Sequence, residues 1–123
     1  MNDGSSLRDG PAVRILLVED DALVRIVTAE LLVELGYAVI EAGDGAEARR
    51  LFADRPDLVI TDIELPDVDG LELAAEFRAL RPKAAIIVAS GKMAGAGSSY
   101  VWLQKPYRGA NLRQAIARAL GEG

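Results

Sequence analysis

The sequence predicts an α/β fold in which helices cover both faces of one doubly wound, five-stranded parallel sheet. Apolar, β-prone runs alternate with segments whose apolar residues recur at helical spacing, and this alternation is typical of parallel sheets. Three of the runs, at residues 13–18, 58–61 and 84–89, consist almost entirely of apolar or β-branched residues. Because the central strands of a parallel sheet are buried on both faces, we expect these three runs to lie at its centre.

The first half of the chain contains two strand–helix pairs. The runs at residues 13–18 (VRILLV) and 37–41 (YAVIE) predict strands. Helices are predicted at residues 22–35 and 45–53, and the second of them is followed by Pro56, a residue type that interrupts helices. The expected packing residues are Leu23, Val24, Val27, Leu31 and Leu35 in the first helix and Ala46, Leu51 and Phe52 in the second.

The second half of the chain departs from the alternation at one place. Strands are predicted at residues 58–61, 84–89 and 100–103, and helices at residues 70–80 and 110–120. The expected packing residues are Leu73, Phe77 and Leu80 in one helix and Leu112, Ile116 and Leu120 in the other. The segment between the last two strands contains three glycines, which disfavour helices, so we expect the helix there to be short or absent.

The composition fits one small domain and excludes several kinds of site. The chain has 123 residues, 50% of them hydrophobic, and a net charge of −5, which argues weakly against a nucleic-acid-binding surface. It contains no cysteine and no histidine, which excludes disulfides, thiolate metal sites and Ser-His catalysis. Any polar chemistry must therefore come from carboxylates, lysines and hydroxyls.

Neither a membrane span nor a signal peptide is predicted. No run of 18 apolar residues occurs, and the first residues, MNDGSSLRDGPA, are polar and glycine-rich. We expect residues 1–12 to be a flexible tail, residues 13–121 to form the single domain, and the protein to be cytoplasmic.

Polar side chains follow four of the predicted strands. They are Glu19, Asp20 and Asp21 after the first strand, Asp62 after the third, Ser90 after the fourth and Lys105 after the fifth. In an open parallel sheet the functional site lies at this edge, so we expect these groups to converge. Clustered carboxylates repel one another unless a counter-charge is present, and oxygen ligands suit Mg²⁺. A carboxylate can also attack phosphorus, while lysine and serine can bind phosphoryl oxygens.

The joint pattern resembles the receiver domain of response regulators, the CheY-like domains of two-component signalling. It consists of EDD after strand one, D after strand three, S after strand four and KP after strand five, and it spans roughly Arg14 to Leu120. The resemblance implies a flavodoxin-like strand order, 2-1-3-4-5. The short segment after Ser90 is similar to that of short single-domain receivers with a reduced fourth helix.

The resemblance also implies roles for the residues at this edge. Asp62 would be the phospho-acceptor, and Glu19, Asp20 and Asp62 would hold Mg²⁺ together with the backbone carbonyl of Glu64. Lys105 would pair with the phosphoryl group, and its bond to the following proline would be cis.

Two further residues are implied to change position on phosphorylation. Ser90 is similar to the switch hydroxyl that moves toward the phosphoryl group and takes part in catalysis. Trp102 stands where the family usually has a switching Tyr or Phe. The alternative for Trp102 is that it only covers part of the core.

The implied function is that of a receiver in a two-component or phosphorelay system. A histidine kinase or histidine phosphotransfer protein would phosphorylate Asp62, and the product would change contacts with a downstream protein that the sequence does not identify. The protein would not be an enzyme beyond its own phosphoryl transfer and dephosphorylation. No direct contact with nucleic acid or membrane is expected, and a homodimer is left open.

Two alternatives use the same sheet. One is a pseudo-receiver, a docking module that is never phosphorylated. The other is a phosphohydrolase in which Asp62 is the nucleophile and Glu64 the base, although such enzymes usually carry the nucleophile after the first strand.

Four remaining acids have structural interpretations. Asp21, Asp44 and Asp69 immediately precede predicted helices, where a carboxylate can cap the helix. Asp67 and Asp69 are both interpreted as solvated loop acids, with helix capping as a further role of Asp69.

Overall fold

A computed structural model describes residues 12–92 and 100–121, and every structural statement below refers to these residues. The strands are β1 (Arg14–Val18), β2 (Ala38–Ala42), β3 (Leu58–Asp62), β4 (Ala85–Ser90) and β5 (Val101–Gln104). The helices are α1 (Ala22–Glu34), α2 (Gly45–Phe52), α3 (Gly70–Leu80) and α4 (Gly109–Ala119). All nine agree with the predicted elements to within one residue at each end. None of the described helices is both long and apolar enough to cross a membrane.

The five strands form one parallel sheet in the order β2-β1-β3-β4-β5, which confirms the predicted fold. The three most apolar runs become β1, β3 and β4, the central strands, as expected from their burial on both faces. The register pairs Val18 with Thr61, Asp62 with Ala89 and Ser90 with Gln104. The carboxyl ends of the strands therefore lie side by side at one edge of the sheet.

Two hydrophobic clusters cover the two faces of the sheet. Alternate residues of each central strand enter opposite clusters, because side chains along a strand point to opposite faces. One cluster joins Ile15, Leu17, Leu58, Ile60 and Ile87 to Leu32 of α1 and to Leu112 and Ile116 of α4. The other joins Leu16, Val18, Val59, Ile86 and Val88 to Phe52 of α2 and to Leu73 and Phe77 of α3. The rings of Phe52 and Phe77 stack with centroids 4.1 Å apart.

The predicted aspartate caps are present at three helices. Asp21 accepts hydrogen bonds from the N–H groups of Leu23 and Val24 at the start of α1. Asp44 accepts one from Glu47 in α2, and Asp69 accepts one from Leu71 in α3.

Several predicted packing positions are wrong. Leu23 and Val27 of α1 are 71% and 47% exposed, and the buried residues of that helix are Thr28, Ala29 and Leu32. Ala46 of α2 is exposed, and so is Leu80 of α3. In α1 and α2 the apolar residues cover more than one face, so spacing alone does not show which face meets the sheet. Leu80 shares the spacing of Leu73 and Phe77 but is the last residue of α3.

Two predictions lie partly or wholly outside the described residues. The expected flexible tail falls on residues 1–12, of which 1–11 are not described. The expected short or absent helix after β4 falls mainly on residues 93–99.

Candidate functional site

Three acids converge at the carboxyl edge of the central strands. Glu19 and Asp20 follow β1, and Asp62 ends β3, the neighbouring strand. One carboxylate oxygen from each lies within 4.8 Å of the other two. Glu19 and Asp62 are buried, whereas Asp20 is exposed, so the cluster is open on one side. The donor set is entirely oxygen and carries clustered negative charge, and these properties fit a hard divalent cation such as Mg²⁺.

Lys105, directly after β5, is the cation that faces two of these acids. Its Nζ lies 2.7 Å from Glu19 Oε1 and 3.1 Å from Asp62 Oδ2. Its backbone N–H donates to the carbonyl of Ser90 at 2.8 Å, which ties the end of β5 to the end of β4. The bond from Lys105 to Pro106 is cis.

Burial and the contact with Lys105 both change the pKa of Glu19, and burial and the contacts with the two acids both change the pKa of Lys105. Burial raises the pKa of the Glu19 carboxyl, and hydrogen bonds from Lys105 and from the N–H of Asp21 only partly oppose it. Burial by itself lowers the pKa of the Lys105 ammonium, but its hydrogen bonds to Glu19 and Asp62 outweigh burial and the pKa is raised. Lys105 is therefore fully charged at neutral pH.

Ser90 ends β4 next to Asp62. The residue is buried, and its Oγ accepts a hydrogen bond from the N–H of Lys92 at 3.0 Å. Asp62 pairs with Ala89, the residue before Ser90, so both side chains come from adjacent strand ends at the same edge of the sheet.

The loop between β3 and α3 folds back directly over the backbone of Asp62. The N–H of Gly70 donates to the carbonyl of Ile63 at 2.6 Å, and Glu64 forms an isolated antiparallel bridge with Asp69. A Cβ on Gly70 would lie 2.0 Å from the carbonyl oxygen of Asp62, so only glycine permits this approach. The loop thereby keeps the backbone of Glu64 close to the Asp62 carboxylate. The nitrogen of the Glu64 N–H lies 3.4 Å from Asp62 Oδ1.

Trp102 lies on β5, outside the acidic cluster. It pairs with Val88 of β4 and packs, partly buried, against the cluster that contains Phe52 and Phe77. Its indole N–H donates to the carbonyl of Lys92 at 3.4 Å, which is a long hydrogen bond. These contacts are compatible with both sequence interpretations of Trp102, as a switch and as a packing residue.

Sequence reasoning missed two side chains that support the loops of the site. Arg25 of α1 donates from Nη1 to the carbonyl of Glu19 at 2.8 Å and pairs through Nε with Glu41 at 3.3 Å. Asp67 is exposed in the loop after β3, as expected for a solvated loop acid, but it also accepts two hydrogen bonds from the start of α2 that the sequence did not predict. Asp67 meets residues 21 and 22 positions earlier in the chain, so no local sequence signal identifies this contact.

Comparison with known proteins gives consistent matches. The family model of the response regulator receiver domain matches residues 15–117. The transcriptional regulatory protein PdtaR of Mycobacterium tuberculosis is 36% identical over 115 residues, which cover 87% of this chain and 56% of PdtaR. The chemotaxis protein CheY of Bacillus subtilis is 33% identical over 121 residues, which cover 89% of this chain and 98% of CheY.

A solved structure extends the comparison to three dimensions. The response regulator protein TrrA of Thermotoga maritima, crystallised in complex with Mg²⁺-BeF, superposes with a TM-score of 0.78 at 32% identity. The superposition covers 87% of this chain and 98% of TrrA. The chain thus spans nearly all of CheY and TrrA but only about half the length of PdtaR.

Proposed function

The chain belongs to the response regulator receiver domain family, and on that premise we propose that it accepts a phosphoryl group in a two-component or phosphorelay signalling system. A histidine kinase or histidine phosphotransfer protein is the proposed donor, and Asp62 is the proposed acceptor. The observation that carries the proposal is the position of the Lys105 ammonium, 3.1 Å from Asp62 Oδ2 and beside the Glu19–Asp20 pair. A carboxylate flanked by a cation and by oxygen ligands is arranged to receive an anionic group.

The proposed transfer forms one bond and breaks another. An oxygen of the Asp62 carboxylate attacks the phosphorus of the donor's phosphohistidine, and the P–N bond breaks. The donor leaves with the electron pair of that bond on its imidazole nitrogen, and Asp62 becomes an acyl phosphate. Lys105 holds a positive charge beside the incoming oxygens, and Ser90 offers them a hydroxyl.

Glu19, Asp20 and Asp62 fit the proposed Mg²⁺ site, with the backbone carbonyl of Glu64 as a fourth protein ligand. When bound, the ion supplies positive charge that offsets the phosphoryl oxygens during transfer. The open side of the cluster, at the exposed Asp20, leaves space for water and for a phosphoryl oxygen.

The proposed output is a change in protein contacts. Ser90 and Trp102 are the proposed switch residues, since Ser90 ends the strand next to the one that ends in Asp62 and Trp102 reaches the Lys92 carbonyl in the loop after β4. The protein would act in the cytoplasm on an unidentified downstream protein, and the domain would extend over residues 13–121. It would catalyse only its own phosphorylation and dephosphorylation.

The test is the intact mass of the protein after incubation with acetyl phosphate and Mg²⁺, with Asp62→Asn as the matched variant. We expect one added phosphoryl group on the wild type and none on the variant. If the wild type gains no phosphoryl group, and beryllofluoride with Mg²⁺ leaves Trp102 fluorescence unchanged, the pseudo-receiver alternative replaces this proposal.

A further inference from the structure

Asp67 joins the loop after β3 to a different part of the chain. Its Oδ1 accepts the N–H of Gly45 at 2.8 Å, and its Oδ2 accepts the N–H of Ala46 at 2.9 Å. These are the first two residues of α2, whose N–H groups have no carbonyl partner within the helix. A carboxylate is well suited to this position because it also meets the positive end of the helix dipole.

Close packing of loop side chains against Gly45 accompanies the two hydrogen bonds. A Cβ on Gly45 would lie 2.3 Å from Cγ1 of Val68 and 3.1 Å from Oδ1 of Asp67. A larger residue at position 45 would therefore force Val68 or the loop to shift away from α2. The hydrogen bonds donated by the N–H groups of Gly45 and Ala46 also lower the pKa of the Asp67 carboxyl, so it is ionised at neutral pH.

The loop is held at two points. Its base is closed by the hydrogen bond from Gly70 to Ile63 and by the Glu64–Asp69 bridge. Its tip is held by Asp67. Glu64 lies between Asp62 and the tip, so movement of the tip would change the direction of the Glu64 carbonyl.

The segment that receives Asp67 also supports the acids after β1. The N–H of Glu19 donates to the carbonyl of Ala42 at 3.0 Å, and Arg25 connects Glu41 to the carbonyl of Glu19. Residues 41–46 thus contact both loops of the candidate site while contributing no side chain to the acidic cluster.

From these contacts we propose that Asp67 is a positioning residue that fastens the β3–α3 loop to α2 and thereby strengthens Mg²⁺ binding. The proposal rests on the proposed function, in which the Glu64 carbonyl is a ligand of the ion. Asp67 itself does not belong to the acidic cluster, so it acts through the loop.

The test compares Mg²⁺ affinity in the full chain and in two single variants, measured by amide chemical shifts during titration. Asp67→Asn keeps the size of the side chain, but its amide nitrogen cannot accept a hydrogen bond, so one of the two bonds is lost. Asp69→Asn removes the same charge from the same loop, and asparagine still caps α3. We expect Mg²⁺ affinity about three- to tenfold weaker in Asp67→Asn and changed by less than about twofold in Asp69→Asn.

A second measurement distinguishes a positioning role of Asp67 from a general loss of folded structure. At saturating Mg²⁺, the rate of phosphorylation of Asp67→Asn by acetyl phosphate should return to nearly the wild-type value. Gly45→Ala, which displaces the loop sterically, should weaken Mg²⁺ binding in the same way.

Three outcomes would overturn the proposal. Equal weakening in Asp67→Asn and Asp69→Asn would assign the effect to charge alone. A lower melting temperature of Asp67→Asn with unchanged Mg²⁺ affinity would assign Asp67 a purely structural role. A wild-type chain that binds no Mg²⁺ would overturn the proposed function first, and this proposal with it.

Discussion

Lys105 is the residue at which the charges of the candidate site meet. Its ammonium contacts two buried carboxylates whose mutual repulsion would otherwise oppose folding. Removing one member of such a buried group leaves an uncompensated charge, which costs more than the contact itself contributes. The two buried carboxylates are therefore more stable with a cation between them, and the Lys105 ammonium supplies it.

The first prediction concerns stability and follows from the close approach of Gly70 to the backbone of Asp62. Gly70→Ala places a Cβ 2.0 Å from the Asp62 carbonyl oxygen, and the resulting shift should cost about 1–3 kcal/mol or more of stability. Gly109→Ala is the control, because its Cβ would meet only Leu31 at 3.9 Å. Urea denaturation measures both, and equal stabilities of the two variants would contradict the expectation.

At the residue scale, most of the candidate site could be predicted from the sequence. Glu19, Asp20, Asp62, Ser90 and Lys105 each follow a recognisable strand, and parallel strands bring their ends together. The supporting residues could not be predicted in this way, because they bind backbone groups of elements that are distant in sequence. Their partners become neighbours only when the strand order is known.

At the element scale, strand periodicity was more informative than helix periodicity. The central strands are buried on both faces, so any apolar run there meets the core. Helix α1 has apolar residues around most of its circumference, and small or polar residues, Ala29 and Thr28, occupy its buried face. Which face is buried depends on the direction in which the helix crosses the sheet, and spacing does not contain that information.

Helix α3 gives the second prediction. Phe77 is 1% exposed and stacks on Phe52, so Phe77→Ala should destabilise the protein by about 3–5 kcal/mol. Leu80, which the sequence assigned to the same stripe, is 71% exposed, and Leu80→Ala should change stability by less than about 0.5 kcal/mol. Thermal or urea unfolding distinguishes the two, and a large loss in Leu80→Ala would show that this residue is buried in solution.

On the scale of the whole molecule, the net charge of −5 and the acidic cluster both add negative charge that repels itself in the folded state. Both make the folded state electrostatically unfavourable near the carboxyl edge. A cation bound at that edge would relieve local repulsion and stabilise the entire domain, since only the folded chain brings the three acids together.

The third prediction follows from this linkage. Mg²⁺ at about 100 times its dissociation constant should stabilise the wild type by about 2.7 kcal/mol, seen as a higher melting temperature. Asp20→Asn should remove most of this effect, whereas Asp54→Asn, an exposed residue outside the cluster, should retain it. A full response in Asp20→Asn would place the ion elsewhere.

The ion pair between Lys105 and Glu19 joins residues that are 86 positions apart. Contacts of such long range form slowly, because the loop they close must be ordered before the contact contributes any stability. During synthesis, the acids after β1 and β3 leave the ribosome long before Lys105 does. The nascent chain therefore carries Asp62, the proposed phospho-acceptor, before Lys105 is available, and we expect Asp62 to accept a phosphoryl group only after the fifth strand has been released and has joined the sheet.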